Sequence, residues 1–159
     1  MTRLSGANAL QTIGGSLTIE NNINLTSLGS FTLDSILGNL IVAYNANLAD
    51  FRGLDELQYI KGDFHISRNA TMEDLRGLDA LQIIGGDLNI SYNIALKNIS
   101  GMILLDTILG DLKFSGNNAL KRMSGLQSIK HIKENFTLDA NSSFPNIKER
   151  MLSISQVTL

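Results

Sequence analysis

The sequence predicts an all-β solenoid, a right-handed parallel β-helix of about six 24-residue coils. Three features of the chain predict it. An isoleucine opens each unit, at Ile13, Ile36, Ile60, Ile84, Ile108 and Ile132, with gaps of 23, 24, 24, 24 and 24 residues; a fixed period of that length marks stacked repeats. An asparagine stands nine residues after each isoleucine: Asn22, Asn45, Asn69, Asn93, Asn117 and Asn141. Between them, runs such as Leu88, Asn89, Ile90, Ser91 alternate apolar and polar residues, the period of two that belongs to a strand.

Within the unit, counting the isoleucine as zero, position +2 is glycine in five units (Gly15, Gly38, Gly62, Gly86, Gly110) and Glu134 in the sixth. Apolar residues follow at +4 and +6, and then at +12, +15, +18 and +21, as in Leu96, Ile99, Met102 and Leu105. A helix turns about 100° per residue, so steps of three slip by about 60° each and would wrap this stripe most of the way round the axis. A second glycine column, Gly53, Gly77, Gly101 and Gly125, falls inside the same segment, where a helix would lose about 1 kcal/mol for each. Short extended pieces joined by corners fit better, with the glycines expected to supply corner conformations. The invariant asparagines are expected to form a ladder at one corner, their amides bonding backbone groups of neighbouring coils, since such groups must be paired when buried.

The pattern I-x-G-x-L-x-I-x-x-N-x-x-L-x-x-L-x-G-L-x-x-L, spread over residues 4–147, resembles the receptor L-domain family. That family includes the ligand-binding domains of the insulin and epidermal-growth-factor receptors, with similar repeats in fungal cell-wall and bacterial surface proteins. The resemblance implies a leucine-rich-repeat-like β-helix that binds other molecules outside the cell. Receptor L domains usually carry disulfides in their caps, whereas this chain has no cysteine, which points to a microbial surface protein rather than an animal receptor.

The 159 residues read as one domain. Residues 1–12 form an N-terminal half-coil or cap, in which Leu4, Gly6, Ala7 and Leu10 repeat the later half of a unit. The repeats occupy 13–143, the first being one residue short between Leu28 and Leu33, where Phe31 is expected to fill the usual leucine site. Residues 144–159 are expected to cap the far end with a short helical turn and a closing strand, because a solenoid needs atypical end units to cover its last apolar face. A net charge of −2 gives no general attraction to nucleic acid. The lack of cysteine excludes disulfides, thiolate nucleophiles and cysteine-type zinc sites. No apolar run reaches membrane-spanning length, and no signal peptide opens the chain, so an exported parent would make this a mature or trimmed piece.

Several columns are candidates for chemistry. Asp63, Asp87 and Asp111 stack at +3, flanked by Asn39 and Asn135; a calcium ion or a cationic ligand would relieve their repulsion, or each simply bonds local backbone as a strand starts. Asp63, His65 and Ser67 have the residue types of a hydrolytic triad, but alternate residues of a strand stand nearly 7 Å apart, too far for the contact a triad needs. Tyr44, Arg68 and Tyr92 fall at +8 on consecutive coils: an aromatic–cation–aromatic row suited to a sugar or protein partner, or else residues stacked on one another at a corner. Sequons begin at Asn24, Asn69, Asn89, Asn98, Asn135 and Asn141, of which Asn69 and Asn141 belong to the ladder. The expected function is a non-enzymatic, extracellular or cell-surface binding or adhesion module without cofactor or metal. It would recognise a protein or glycan through its sheet face, at Tyr44, Arg68 and Tyr92 with Asp63, His65 and Asp87 beside them. The alternatives are a polysaccharide-active β-helix enzyme and a purely structural cell-wall or surface spacer.

Overall fold

Each repeat contributes two strands, a two-residue strand ending on the opening isoleucine and a four-residue strand that starts four residues later. The short strands are β1 (Thr12–Ile13), β3 (Ser35–Ile36), β5 (Tyr59–Ile60), β7 (Ile83–Ile84), β9 (Thr107–Ile108) and β11 (His131–Ile132). The long strands are β2 (Leu17–Glu20), β4 (Leu40–Ala43), β6 (Phe64–Ser67), β8 (Leu88–Ser91), β10 (Leu112–Ser115) and β12 (Phe136–Asp139). The computed structural model describes residues 2–4 and 6–145. The helical turn and closing strand expected over 146–159 lie outside the described residues.

The short strands stack in the order β1-β3-β5-β7-β9-β11 and the long ones as β12-β10-β8-β6-β4-β2. All neighbours are parallel and pair at the repeat spacing, Leu40 with Phe64, Phe64 with Leu88 and Leu88 with Leu112. The chain is thus a parallel β-solenoid, and no helix occurs among the described residues; none is therefore long and apolar enough to cross a membrane.

The interior is built column by column. Ile36, Ile60, Ile84 and Ile108 stack on one another, as do Leu48, Met72, Leu96 and Leu120, all fully buried. Phe51 meets Phe64 edge to face at 5.7 Å between ring centroids, a favoured aromatic geometry. In β6, β8 and β10 burial alternates strictly with the sequence pattern, whereas β12 is only half-buried on its inward side because β10 is its one neighbour. Phe31 lies half-buried against the core, and Gly29, with φ +88°, serves the shortened first coil in place of the second glycine column. The N-terminal half-coil stacks on the first full unit: Thr26 N–H donates to Thr2 C=O at 2.9 Å, and Arg3 bridges Ser27.

The two glycine columns exist for different reasons, which corrects the expectation that both supply corner conformations. Gly53, Gly77, Gly101 and Gly125 do have left-handed φ values, from +98° to +122°. Gly62, Gly86 and Gly110 do not. They are glycine because the +3 side chain of the preceding coil lies on them: a Cβ at Gly86 would sit 2.1 Å from Asp63 Oδ1, and one at Gly110 2.2 Å from Asp87 Oδ1. Where Glu134 replaces this glycine, the inter-coil bond from its N–H to Gly110 C=O lengthens to 3.4 Å, against 3.0 Å at Gly62 and Gly86.

Corner turns before the second glycine column are closed by a polar column that repeat reading of the apolar positions overlooked. Ser27, Asp50, Asp74 and Asn98 each accept the N–H two residues on, from Gly29, Arg52, Arg76 and Ser100. The signal was present in the side-chain types, since short acceptors of this kind close turns on their own backbone.

Candidate functional site

The exposed row at +8 is produced by the buried ladder at +9. In every inner coil the asparagine side chain reaches back to the preceding coil and takes two backbone groups there. Asn93 Oδ1 accepts Asn69 N–H at 3.0 Å, and its Nδ2 donates to Ile66 C=O at 3.0 Å. Asn69 does the same for Asn45 N–H and Val42 C=O, and Asn117 for Asn93 N–H and Ile90 C=O. Asn45 and Asn141 hold the equivalent groups of their own preceding coils. Asn22, the first rung, instead donates to Glu20 C=O within its own coil. Asn45, Asn69, Asn93 and Asn117 have no exposure at all, so the ladder satisfies backbone groups that water cannot reach.

Those two backbone groups bracket a pair of residues, the second of which is forced into the left-handed region. Asn21, Tyr44, Arg68, Tyr92 and Ala140 have φ between 51° and 58°, and Gly116, in the same column, has 66°. Bulky side chains are uncommon there, and a non-glycine residue is disfavoured by roughly 1–2 kcal/mol. A corner satisfied equally well by Gly116 therefore carries Tyr, Arg and Tyr on three consecutive coils.

The two readings of that row, exposed patch and mutual stack, hold together. Tyr44 and Tyr92 are 49% and 51% exposed. The Arg68 guanidinium carbon lies 5.4 Å from the Tyr44 ring centroid and 4.9 Å from that of Tyr92, within cation–π range of both. Tyr92 also lies against Gly116, where an added Cβ would meet ring carbons at 2.7 and 2.9 Å. Among the described residues Arg52 pairs with Asp50 and Arg76 with Asp74, while Arg68 makes no ion pair. Beside the row runs a column of small residues, Ala43, Ser67, Ser91 and Ser115, that end the four inner long strands, while the outer two end on Glu20 and Asp139.

Asp63 and Asp87 stand elsewhere. They lie five residues before Arg68 and Tyr92 in the chain, roughly 16 Å along an extended strand, and they are engaged in a second ladder. Asp63 N–H donates to Asn39 Oδ1, Asp87 N–H to Asp63 Oδ1, Asp111 N–H to Asp87 Oδ1 and Asn135 N–H to Asp111 Oδ1, all at 2.8–2.9 Å. This is the backbone-bonding alternative for the acidic column, with the bond crossing to the next coil instead of staying local. Its sense is opposite to that of the asparagine ladder: here each coil's amide reaches back, there each side chain does. His65 is half-exposed in mid-strand, its Nε2 3.7 Å from Asp63 Oδ2, an ion-pair distance but too long for a hydrogen bond. The six candidate residues thus divide into the Tyr44–Arg68–Tyr92 row, the two aspartates of the second ladder, and His65 between them. Of the sequon asparagines, Asn69 is fully buried, Asn135 and Asn141 are bonded within the ladders, and Asn24 is exposed.

Asp111 is held by a cation as well as by the ladder. Lys113 hydrogen-bonds the Asp111 carboxyl, and the Asn135 backbone and side-chain N–H groups add to it, lowering the Asp111 pKa from 3.8 to about 2; the same contact raises that of Lys113. A carboxyl depressed on folding contributes stability that is complete above its unfolded pKa and is lost as the pH falls through the folded value. Unfolding free energy is therefore expected to decline between pH 3.8 and about 2 more steeply in the parent than in Asp111→Asn. That variant keeps an Oδ1 acceptor, as Asn39 does in the same column. Denaturant titrations at a series of pH values read this directly, and parallel pH profiles would remove Asp111 as a source.

Comparison of the chain with protein-family models, with curated proteins and with solved structures gives no match.

Proposed function

We propose that this solenoid is an extracellular or cell-surface binding module of the receptor L-domain type, which recognises a protein or glycan through the edge of its long-strand sheet. The observation that supports this reading is the Tyr44–Arg68–Tyr92 row. Three large side chains occupy a left-handed corner that glycine fills without strain at Gly116. Strain of this kind clusters where side chains are presented for recognition, and Tyr and Arg are the residue types that dominate binding hot spots. The platform is rigid because the row sits on coils flanked on both sides, with each corner fixed by the next asparagine. The repeat pattern shared with receptor L domains favours the same use of the sheet.

The test is a glycan and cell-surface protein array followed by titration of whatever binds. Arg68→Ala and Tyr92→Ala are each expected to weaken a genuine partner by about 1–2 kcal/mol or more, with circular dichroism and melting temperature close to the parent's. A partner that binds both variants as well as it binds the parent would reduce the row to a stacked corner and end this reading.

A further inference from the structure

The way the row is stacked limits what it can hold, and it points away from the usual sugar platform. An aromatic platform binds a neutral sugar by offering a free ring face. Here both tyrosines turn a face to the Arg68 guanidinium, and Tyr92 has Gly116 on its other side. The row is open to solvent, with Tyr44 and Tyr92 half-exposed and Arg68 exposed between them, and its polar groups are two phenolic hydroxyls and a guanidinium. A guanidinium carries five N–H donors and no acceptor, in a planar fork that matches a carboxylate. Both rings hold its carbon within cation–π range, an attraction that uses none of its N–H donors, and no carboxylate among the described residues pairs with it. Arg52 and Arg76, by contrast, already have theirs.

Resting on the binding role proposed above, we infer that the row recognises an anionic glycan through a sugar carboxylate, as in a uronic acid, which takes the Arg68 edge with the Tyr44 and Tyr92 hydroxyls on either side. The surroundings favour a glycan over an acidic protein. The partly exposed part of the column beside the row is Ser67, Ser91 and Ser115, with Ala43 buried and Glu20 and Asp139 at the two outer coils, and serine is depleted from protein interfaces relative to the rest of the surface. A strip of serine hydroxyls instead matches a ligand rich in hydroxyl groups. The guanidinium is already oriented by two cation–π contacts and a fixed corner, so little side-chain freedom is left to lose on binding.

The experiment is calorimetric titration of the whole chain with oligogalacturonate and oligoglucuronate, with the methyl esters of the same oligomers, and with polyglutamate of matched charge. At least one uronate is expected to bind at least tenfold more tightly than its ester, with affinity falling as salt is raised. Arg68→Gln is expected to abolish the difference between acid and ester. Tyr44→Phe and Tyr92→Phe, which keep the stack and remove the hydroxyls, are expected to weaken the acid several-fold. Arg68→Gly, which suits the left-handed corner, guards against loss of fold as the cause. Failure of both uronates to bind in an Arg68-dependent way, or equal binding of acid and ester, overturns the inference. Polyglutamate binding as tightly as the uronates overturns it in favour of an acidic polypeptide. Neutral oligosaccharides that bind and are lost in Tyr92→Ala would sink the carboxylate assignment while leaving the binding role of the row intact.

Discussion

Gly101→Ala is expected to destabilise the protein by about 4 kcal/mol, the sum of two effects acting on the same atom. The backbone at Gly101 has φ +115°, outside the range an alanine adopts without strain, and the added Cβ would lie 2.0 Å from Leu75 C=O and 2.4 Å from its carbon. Strain of this kind costs about 1–3 kcal/mol, and overpacking a close-packed interior about 1–3 more. The obstacle is backbone of the neighbouring coil, so no side chain can swing aside; relief requires the coils to separate, which also stretches the inter-coil hydrogen bonds. In a protein of this length each kcal/mol moves the melting temperature by about 2–4 °C, so a fall on the order of 10 °C is expected. Gly14→Ala is the control. Gly14 has nothing within 4 Å of its added Cβ and no left-handed φ, and its replacement should change stability by no more than about 0.5 kcal/mol. Equal melting midpoints for the two variants would show that the coils are not packed as tightly as described.

Asn93→Ala should cost about 3 kcal/mol, because it strands two buried backbone groups at about 1–3 kcal/mol each. Asn69 N–H and Ile66 C=O are 3.0 Å from the Asn93 amide and lie where water does not replace it. Asn22→Ala, at the first rung, removes only the bond to Glu20 C=O and is expected to cost about 1 kcal/mol or less. Denaturant unfolding of the two variants beside the parent measures the difference. Because the two groups held by Asn93 flank Arg68, the substitution should also speed amide exchange at Asn69 and blunt any Arg68-dependent binding. An unchanged melting temperature would remove the ladder from the account of stability, and protected exchange at Asn69 would remove its hold on the corner.

The architecture was legible because a solenoid writes its fold into the chain once per coil. The opening isoleucines and the asparagine nine residues on each recur six times, and the strand alternation of Leu88–Ser91 recurs in every unit but that of Leu40–Ala43; the register found between strands is the register of that repeat. The purpose of the asparagines was legible too, since an invariant amide among apolar columns must have buried backbone partners. The acidic column was seen as a column, but its bonds across coils were not. A carboxylate beside a glycine reads the same whether it caps its own strand or the next one.

Reading the residues one unit at a time also could not separate the glycine columns. Gly86 and Gly101 are the same letter, yet one makes room for Asp63 of the coil before it and the other supplies φ +115°. Nor could it say that Tyr44, Arg68 and Tyr92 are both stacked and exposed, or that Asp63 and Asp87 belong to a different part of the surface. Periodicity by itself determined the number of coils, the inward columns, the corners and the rungs of the ladder, because these depend only on spacing along the chain. Tertiary structure alone decided which backbone groups each rung holds, which glycines are needed for space, and that Arg68 lies between two tyrosines with no ion pair among the described residues, because these depend on contacts between residues about 24 positions apart.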